Sequence, residues 1–173
     1  AGVMGGGIAQ LVSQKSLPIR MKDIDYKGLG LGMASAQKLF AGLVKKRKMT
    51  KREALQKLEL ISPTTDYTGF SRVGLVIEAV VENMDVKKKV LQEAENALGE
   101  TAIFASNTSS LSITELATAS KRPQNVVGMH FFNPVHKMPL IEVIRGEKTS
   151  DRAAMAVFEL SKRLGKTPIV VKD

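Results

Sequence analysis

The amino-acid sequence predicts a doubly wound α/β fold with a mostly parallel sheet. Helix-like and strand-like segments alternate along all 173 residues, as they do where crossover helices connect parallel strands. Residues 73–81 have the sequence VGLVIEAVV, a nearly continuous apolar run that is typical of a parallel strand covered on both faces. Capping residues and glycines bracket several predicted helices and separate them from the strands.

The first part of the chain is predicted to contain a helical insertion. An opening helix and a strand-like segment, PIRMKDID, come first. A long helix is then expected over about residues 26–48, and a second over residues 50–58. Thr50 is the expected N-cap of the second helix, and Glu53 completes its capping box. Together the two helices predict a helical hairpin insertion at about residues 26–58.

The rest of the chain continues the alternation and shows no linker or repeat, so we expect a single domain over residues 1–173. The predicted strands have the sequences LELISPT, VGLVIEAVV, AIFAS, NVVGMHFF, LIEVIRG and TPIVVKD. The predicted helices span residues 85–98, which end at Gly99, a short segment capped by Ser112 with Glu115, and residues 150–164, which end at Gly165.

Composition restricts the class of protein and its compartment. The hydrophobic content of 43% and the charged content of 25% are ordinary for a globular domain. The absence of cysteine excludes a disulfide framework and fits a reducing compartment. The longest apolar stretches are too short to span a bilayer, and no secretory signal precedes them. We therefore expect a cytoplasmic protein without a membrane span.

The formal net charge of +9 favours an anionic partner, which could be nucleic acid, an anionic membrane or a phosphorylated small molecule. The densest basic run, KKRKMTKR, covers residues 45–52 and is more typical of a solvated helix end than of a binding site. No aromatic residues interleave this run, as they do in platforms that stack single-stranded bases. We therefore expect no nucleic-acid partner.

The glycines of the opening stretch fit part of a dinucleotide-binding turn. Gly2 and Gly5 match the second and third glycines of G-x-G-x-x-G, so the first glycine and its strand are expected before residue 1. Small residues are also common at ordinary helix starts. Asp23 ends the next predicted strand, where an acidic side chain can bind a ribose 2′-hydroxyl and select NAD over NADP. The alternative for Asp23 is a solvated loop residue.

The chain has only two histidines, His130 and His136. His130 ends an apolar strand, at the edge of an α/β sheet where ligands bind, and could be structural or catalytic. Glu142 alternates with apolar neighbours in a following strand, and a buried carboxylate needs a partner, for which a histidine is suitable. His136 lies in a polar loop flanked by prolines and is expected to be exposed.

Seven segments give the chain a close resemblance to a known family: MGGGIAQ, KDID, EAVVEN, ASNTSS, GMHFFNPV, MPLIEVIRG and GKTPIVVKD. In this order and spacing they resemble the NAD-binding domain of L-3-hydroxyacyl-CoA dehydrogenases, which is a Rossmann-type domain. KDI, TTDYTGF and HFFNPVHKMPL are most similar to the alpha subunits of bacterial fatty acid oxidation complexes. The resemblance implies a hydratase/isomerase region before this domain, a helical dehydrogenase domain after it, and a thiolase subunit as partner. The 173 residues alone are then expected to be nearly inactive.

The resemblance also implies roles for individual residues. His130 corresponds to the catalytic base and Glu142 to its partner, while Ser109 and Asn133 correspond to residues that position the substrate oxygen and the nicotinamide. No metal site is implied. The positions that match the family's NAD site are Gly2, Met4, Gly5, Asp23, Val80, Val81, Glu82, Lys87, Ser109 and Asn133. The alternatives are that Val80 and Val81 are core residues and that Lys87 is a solvated helix residue.

The activity that follows from the resemblance is NAD-dependent oxidation of an L-3-hydroxyacyl-CoA to a 3-oxoacyl-CoA in fatty acid β-oxidation. The helical insertion with its basic run is then expected to lie near the CoA phosphates. The alternative function is that of a non-catalytic relative that binds NAD. The presence of both His130 and Glu142 favours the enzyme.

Overall fold

The computed structural model describes residues 2–173, which form two compact units. The first unit contains residues 2–66 and Asn133–Lys137, and the second contains Tyr67–Phe132 and Met138–Asp173. The helices are α1 (Gly2–Gln14), α2 (Tyr26–Lys45), α3 (Lys51–Leu58), α4 (Met84–Ala97), α5 (Ile113–Ala117) and α6 (Asp151–Arg163). The strands are β1 (Ile19–Lys22), β2 (Ile61–Thr64), β3 (Leu75–Glu78), β4 (Ile103–Ser106), β5 (Val126–Phe131), β6 (Leu140–Arg145) and β7 (Thr167–Lys172).

The first unit packs three helices with a two-stranded parallel sheet. Strands β1 and β2 pair in a register that sets Ile19 opposite Ile61 and Lys22 opposite Thr64. Burial of apolar side chains from the helices and both strands removes hydrocarbon surface from water and stabilises this unit. The buried core residues are Ala9, Met21, Leu29, Ala36 and Ile61.

A close approach of two backbones brings α1 against α2. A β-carbon placed on Gly6 would lie 2.3 Å from the carbonyl oxygen of Gly32 and 2.9 Å from the β-carbon of Ser35. Both distances are too short for non-bonded atoms, so only glycine at position 6 allows this contact. The two helices therefore approach each other closely at Gly6 and Gly32.

The helical hairpin has the predicted capping box at the start of its second helix. The Thr50 hydroxyl accepts a hydrogen bond from the Glu53 amide at 3.1 Å, and the Glu53 carboxylate accepts one from the Thr50 amide at 2.7 Å. These contacts satisfy two amides that a helix start leaves without partners. Helix α2 ends at Lys45, a turn earlier than expected, because Arg47 in the connection adopts a positive φ of 56°.

The second unit is built on a five-stranded sheet in the order β3-β4-β5-β6-β7. Strands β3, β4 and β5 are parallel, while β6 runs antiparallel to β5 and β7 is parallel to β6. The neighbouring strands β5 and β6 carry fully buried side chains, which include Val126, Met129, Ile141 and Val143. Strands β5 and β6 therefore contribute a large part of the buried core of the unit.

Helices α4, α5 and α6 of this unit start at side-chain caps. Asn83 accepts from the Val86 amide, Ser112 from the Glu115 amide and Ser150 from the Ala153 amide. Beneath α4 and α5 the strands contribute to a core of buried apolar side chains. Its members are Leu91, Ala94, Phe104, Ile113, Leu116, Ala117 and Val126.

The predicted fold class is confirmed, because the sheets are mostly parallel and helices alternate with strands. One predicted strand is too long. Only Leu75–Glu78 of the VGLVIEAVV segment pairs in the sheet, and Val80 and Val81 follow its end. Within residues 2–173, no helix combines the length and apolar character needed to cross a membrane.

Candidate functional site

His130 and Glu142 are direct partners across the antiparallel pair β5 and β6. Nδ1 of His130 lies 2.7 Å from Oε2 of Glu142, a short hydrogen bond for a nitrogen and a carboxylate. The His130 side chain is 15% exposed and that of Glu142 is 29% exposed. The structure therefore brings the predicted base and its predicted partner together in a partly desolvated position.

The contact with Glu142 assigns the tautomer of His130. An ionised carboxylate can only accept hydrogen bonds, so Nδ1 carries a proton and donates it to Glu142. In the neutral ring, Nε2 is then the nitrogen with a free lone pair. The Phe132 ring lies against the imidazole with a centroid distance of 4.4 Å and restricts its rotation. His130 is thus oriented as a proton acceptor through Nε2.

Asn107 fixes the end of strand β5 beside His130. Its side-chain oxygen accepts a hydrogen bond from the Phe131 backbone amide at 2.8 Å. The backbone amide of Asn107 donates to the Glu78 backbone carbonyl at 2.7 Å. Asn107 follows β4 directly and so links the carboxyl ends of three strands. It positions the backbone that carries His130.

Glu82 receives several hydrogen bonds from the loop after β4. Its Oε1 accepts from the Thr108 hydroxyl at 2.5 Å, from the Ser109 amide at 2.9 Å and from the Ser109 hydroxyl at 3.3 Å. Partial burial raises the pKa of Glu82, but the donors from Thr108 and Ser109 and the Lys87 ammonium outweigh it and lower the pKa to about 2. Two predicted cofactor residues, Glu82 and Ser109, are therefore in direct contact.

Lys87 and Glu78 form a buried ion pair next to Glu82. Nζ of Lys87 lies 2.9 Å from Oε1 of Glu78 and 3.4 Å from Oε2 of Glu82. The Lys87 side chain is 0% exposed. The interpretation of Lys87 as a solvated helix residue is wrong, because its ammonium is enclosed by the carboxylates that pair with it.

Val80 and Val81 lie on the segment between β3 and α4. They are 37% and 67% exposed. The alternative that they are core residues is therefore wrong. Their place next to Glu82 stays compatible with the predicted lining of a cofactor site.

In the first unit, Gly2, Met4 and Gly5 form the first turn of α1. Gly2 has a φ of 55°, which a residue with a β-carbon rarely adopts. The side chain of Met4 is partly buried. The first turn of a helix presents amides without intrahelical partners, so this arrangement suits an anionic group.

Asp23 comes directly after β1, as predicted. Its amide donates to the Thr64 carbonyl at 3.2 Å, and its carboxylate accepts from the Ile24 amide at 2.7 Å. These bonds hold the carboxylate at the carboxyl end of the two-stranded sheet. This place is compatible with the predicted contact to a ribose hydroxyl, which stays a prediction.

Asn133 and His136 belong to the loop residues Asn133–Lys137 of the first unit. Both side chains are exposed, and a cis peptide bond joins Asn133 to Pro134. The predicted exposure of His136 is confirmed. Asn133 follows the β5 segment by two residues along the chain, and its predicted contact with nicotinamide stays a prediction.

Comparison with known proteins decides the family. The model of the 3-hydroxyacyl-CoA dehydrogenase NAD-binding domain matches residues 1–173. The chain belongs to this family. The predicted resemblance and the predicted NAD cofactor are therefore confirmed at the level of the domain.

Curated and solved relatives agree with this assignment of the NAD-binding domain. The chain is 54% identical over 173 residues to the fatty acid oxidation complex subunit alpha of Psychrobacter sp. (strain PRwf-1), covering 100% of the chain and 24% of that protein. It is 53% identical over the same length to the subunit of that name from Pseudomonas syringae pv. syringae (strain B728a), again covering 100% of the chain and 24% of the relative.

Among solved structures, (S)-3-hydroxybutyryl-CoA dehydrogenase PaaH1 from Ralstonia eutropha superposes with a TM-score of 0.96 at 44% identity. The match covers 99% of this chain and 61% of that one. FadB2 from M. tuberculosis gives a TM-score of 0.96 at 36% identity, covering 100% of this chain and 61% of the other. The chain spans about a quarter of the length of the curated relatives that it matches.

Three residues of the NAD-binding domain were not singled out from the sequence: Glu78, Asn107 and Thr108. Glu78 was visible as a charge inside an apolar run, a pattern that indicates a buried partner. Asn107 and Thr108 were visible as polar residues directly after a buried strand, at the edge where parallel strands end. None of these signals identifies the atom that each side chain contacts.

Proposed function

We propose that the protein that carries this chain oxidises L-3-hydroxyacyl-CoA thioesters to 3-oxoacyl-CoA with NAD, as part of fatty acid β-oxidation. In this proposal the NAD-binding domain supplies the catalytic base and cofactor-binding residues. The observation that carries it is the 2.7 Å contact between His130 Nδ1 and Glu142. The names of the relatives, which include a fatty acid oxidation complex subunit and a 3-hydroxybutyryl-CoA dehydrogenase, support the choice of substrate.

The reaction removes a proton from the 3-hydroxyl group and a hydride from C3. Nε2 of His130 accepts the proton as the C3–H bond breaks, which makes the imidazole a cation. Glu142 stabilises this cation through Nδ1 and keeps the ring in the orientation that proton transfer needs. When bound, NAD supplies the acceptor for the hydride.

The described residues fit a dinucleotide. In the first unit, the first turn of α1 offers amides to a pyrophosphate, and Asp23 offers a fixed carboxylate to a ribose. In the second unit, the ionised Glu82 is held by Thr108 and Ser109. We propose that NAD is held by Gly2, Met4, Gly5, Asp23, Val80, Val81, Glu82, Ser109 and Asn133, with the buried Lys87 acting on this site through its contact with Glu82.

Ser109 and Asn133 are proposed to position the substrate oxygen and the nicotinamide. The Ser109 hydroxyl lies 3.3 Å from Glu82 and can donate to only one acceptor at a time. Substrate and Glu82 therefore compete for the same proton of Ser109. The exposed side chain of Asn133 has both an amide donor and a carbonyl acceptor available to a polar ligand.

Further parts of the proposal follow from the family resemblance. The exposed basic turn between α2 and α3, residues 45–52, is proposed to contribute to binding the CoA phosphates. The remaining length of the relatives is proposed to correspond to a hydratase/isomerase region and a C-terminal dehydrogenase domain. A thiolase subunit is the proposed partner, and the bacterial cytoplasm the proposed location.

The proposed function is tested with His130→Gln and His136→Gln in the full-length protein. His130→Gln is expected to lower kcat for a 3-hydroxyacyl-CoA by about 10²- to 10⁴-fold with little change in the Kd for NAD. His136→Gln is the matched control, because it removes an exposed histidine from the neighbouring loop, and it should keep wild-type turnover. NADH absorbance gives kcat, and a thermal melt gives the folded fraction.

Two results would contradict the assignment. A folded His130→Gln protein that turns over at the wild-type rate would make His130 a structural residue. Wild-type protein that binds NAD but oxidises no 3-hydroxyacyl-CoA of any chain length would instead be the non-catalytic relative.

A further inference from the structure

Three charged side chains form a chain of contacts at the end of strand β3. Glu78 is the last residue of β3 and is 3% exposed, and Lys87 on α4 is fully buried. Lys87 lies 2.9 Å from Glu78 and 3.4 Å from Glu82, so its ammonium has one closer and one more distant carboxylate. Glu82 is the only exposed member of the three, with a side chain that is 37% exposed.

Hydrogen bonds within the protein satisfy both carboxylate oxygens of Glu78 without help from solvent. Its Oε1 accepts from Lys87 and from the Val80 amide at 2.7 Å, and its Oε2 accepts from the Ser106 hydroxyl at 2.7 Å. A buried carboxylate with a full set of donors and a buried ammonium stabilise each other strongly. The positive charge of Lys87 is therefore largely neutralised by Glu78.

The cluster of Glu78, Lys87 and Glu82 contains one more negative than positive charge. Glu78 and Glu82 contribute two negative charges and Lys87 one positive charge, so the cluster has a net charge of −1. Because Glu78 neutralises Lys87, the excess charge resides on Glu82, next to the Thr108–Ser109 loop. Without Glu78, Lys87 would have Glu82 as its remaining carboxylate contact, and the site would become neutral.

We propose that Glu78 is a positioning residue that engages the Lys87 ammonium and so leaves Glu82 with a net negative charge toward the nicotinamide. This inference rests on the proposed function. The nicotinamide ring is positively charged in NAD⁺ and neutral in NADH, so a negative charge in the site favours the oxidised cofactor. The triad therefore favours binding of NAD⁺ and release of NADH after hydride transfer.

The competing explanation is that the Glu78–Lys87 pair only stabilises the fold. Both explanations predict that a Glu78 variant melts earlier, because a buried ammonium loses its partner. They differ in the ratio of the Kd for NAD⁺ to the Kd for NADH. Loss of stability alone weakens both complexes without regard to the charge of the ring.

The test measures both dissociation constants by calorimetry on the full-length protein. Glu78→Gln keeps the size of the side chain and removes its charge. It should raise the ratio of Kd for NAD⁺ to Kd for NADH by about 3- to 10-fold, the order expected when one charge in a partly solvated site is neutralised. Glu95→Gln is the matched control, since Glu95 is another carboxylate with a side chain only 7% exposed, and it pairs with Arg122. It should leave the ratio unchanged.

A double variant reverses the effect. Glu78→Gln combined with Lys87→Met removes the freed ammonium together with Glu78, so Glu82 again carries an uncompensated charge. The ratio should return toward the wild-type value, although two side chains have been replaced. If Glu78→Gln does not fold, Glu78→Asp takes its place, because the shorter side chain withdraws from Lys87 and should shift the ratio in the same direction by less.

The outcomes separate this inference from the proposed function. If Glu78→Gln lowers the melting temperature but leaves the ratio at the wild-type value, the inference is overturned and Glu78 is structural. Glu82→Gln should raise the ratio at least as much as Glu78→Gln. If Glu82→Gln changes the binding of neither NAD⁺ nor NADH, the assignment of Glu82 to the cofactor site fails, and with it that part of the proposed function.

Discussion

The carboxyl carbon of Asp23 lies 2.4 Å from the position that a β-carbon on Gly28 would occupy. Gly28 belongs to the first turn of α2, where its amide donates a hydrogen bond to Asp25 at 2.7 Å. A side chain at position 28 would therefore occupy the space of the Asp23 carboxylate. The glycine gives the predicted ribose-binding acid its place beside the helix.

Gly28→Ala is accordingly expected to weaken NAD binding without unfolding the protein. The Asp23 side chain is short and partly exposed, so it can rotate away from the new methyl group at the cost of its hydrogen bond from the Ile24 amide. Its carboxylate then lies away from the position that suits a ribose, and discrimination against NADP should also decrease. Calorimetry with NAD and kcat/KM values for both cofactors measure these effects.

Gly30→Ala is the matched control for this substitution. It lies in the same helix, and a β-carbon there meets no atom within 4 Å. It should leave the Kd for NAD unchanged and raise stability by about 0.5–1 kcal/mol, because alanine is the better helix former. Equal NAD affinity in Gly28→Ala and Gly30→Ala would show that Asp23 is not displaced or does not bind the ribose.

Glu142→Gln is expected to lower kcat, because an amide stabilises the imidazolium of His130 less well than a carboxylate does. If the two residues act as one unit, the variant with both His130→Gln and Glu142→Gln should be scarcely slower than His130→Gln alone. Steady-state kinetics of the single and double variants gives the coupling. Multiplicative losses in kcat would mean that the two residues act independently.

Gly6→Ala tests the close contact between α1 and α2. The new methyl group would lie 2.3 Å from the backbone oxygen of Gly32, which cannot rotate away. The helices must therefore separate, and we expect a loss of about 1–3 kcal/mol in the free energy of unfolding. Chemical denaturation measures this loss.

Gly7→Ala provides the comparison for Gly6→Ala in the same buried stretch of α1. A β-carbon at position 7 meets only Val135 side-chain carbons at 3.6 Å, an ordinary contact. This variant should be as stable as the wild type or slightly more stable. A large loss of stability in Gly7→Ala would indicate that α1 tolerates no added volume anywhere.

The low pKa of Glu82 gives a pH dependence of stability. The pKa is about 2 in the folded protein and 4.5 ordinarily, so between these values the unfolded chain binds more protons than the folded one. The free energy of unfolding should therefore rise as the pH increases from about 2 to 4.5, and the contribution of Glu82 should be lost as the pH falls through this window. Denaturation at several pH values measures it.

Two variants identify the source of this dependence. Glu82→Gln should have a flatter pH profile than the wild type between about pH 2 and 4.5, because it has no proton to gain. Thr108→Val, which removes the hydroxyl that donates to Glu82 at 2.5 Å, should flatten the profile in part. Parallel profiles for the wild type and Glu82→Gln would show that other carboxylates dominate in this range.

Local features of the sequence were sufficient to predict many boundaries of the fold. The capping box of Thr50 and Glu53 is such a case, because both partners lie within one turn of helix. The pairing of His130 with Glu142 was also accessible, since the alternation of β6 presents Glu142 on a face that needs a partner. In each case the signal that indicates a partner lies within a few residues of one helix or strand.

Features that depend on distant residues could not be predicted in the same way. The strand β3 ends at Glu78 rather than at Val81, because its pairing with the distant strand β4 stops at the pair of Glu78 and Ser106. The burial of Lys87 depends on the Glu78 carboxylate, nine residues away in the sequence and on another element. The antiparallel direction of β6 is set by sheet assembly and leaves no mark in the alternation of its side chains.

The antiparallel pairing of β6 with β5 also determines when the predicted proton acceptor, His130, and its partner Glu142 are brought together. His130 and Glu142 face each other from adjacent strands within one unit, only 12 positions apart in the chain. The entropic cost of bringing the two side chains together is therefore incurred once, during folding, and not again when a ligand binds. Because β5 and β6 are hydrogen-bonded neighbours within one unit, the predicted acceptor and its partner are already assembled in the folded domain before a substrate arrives.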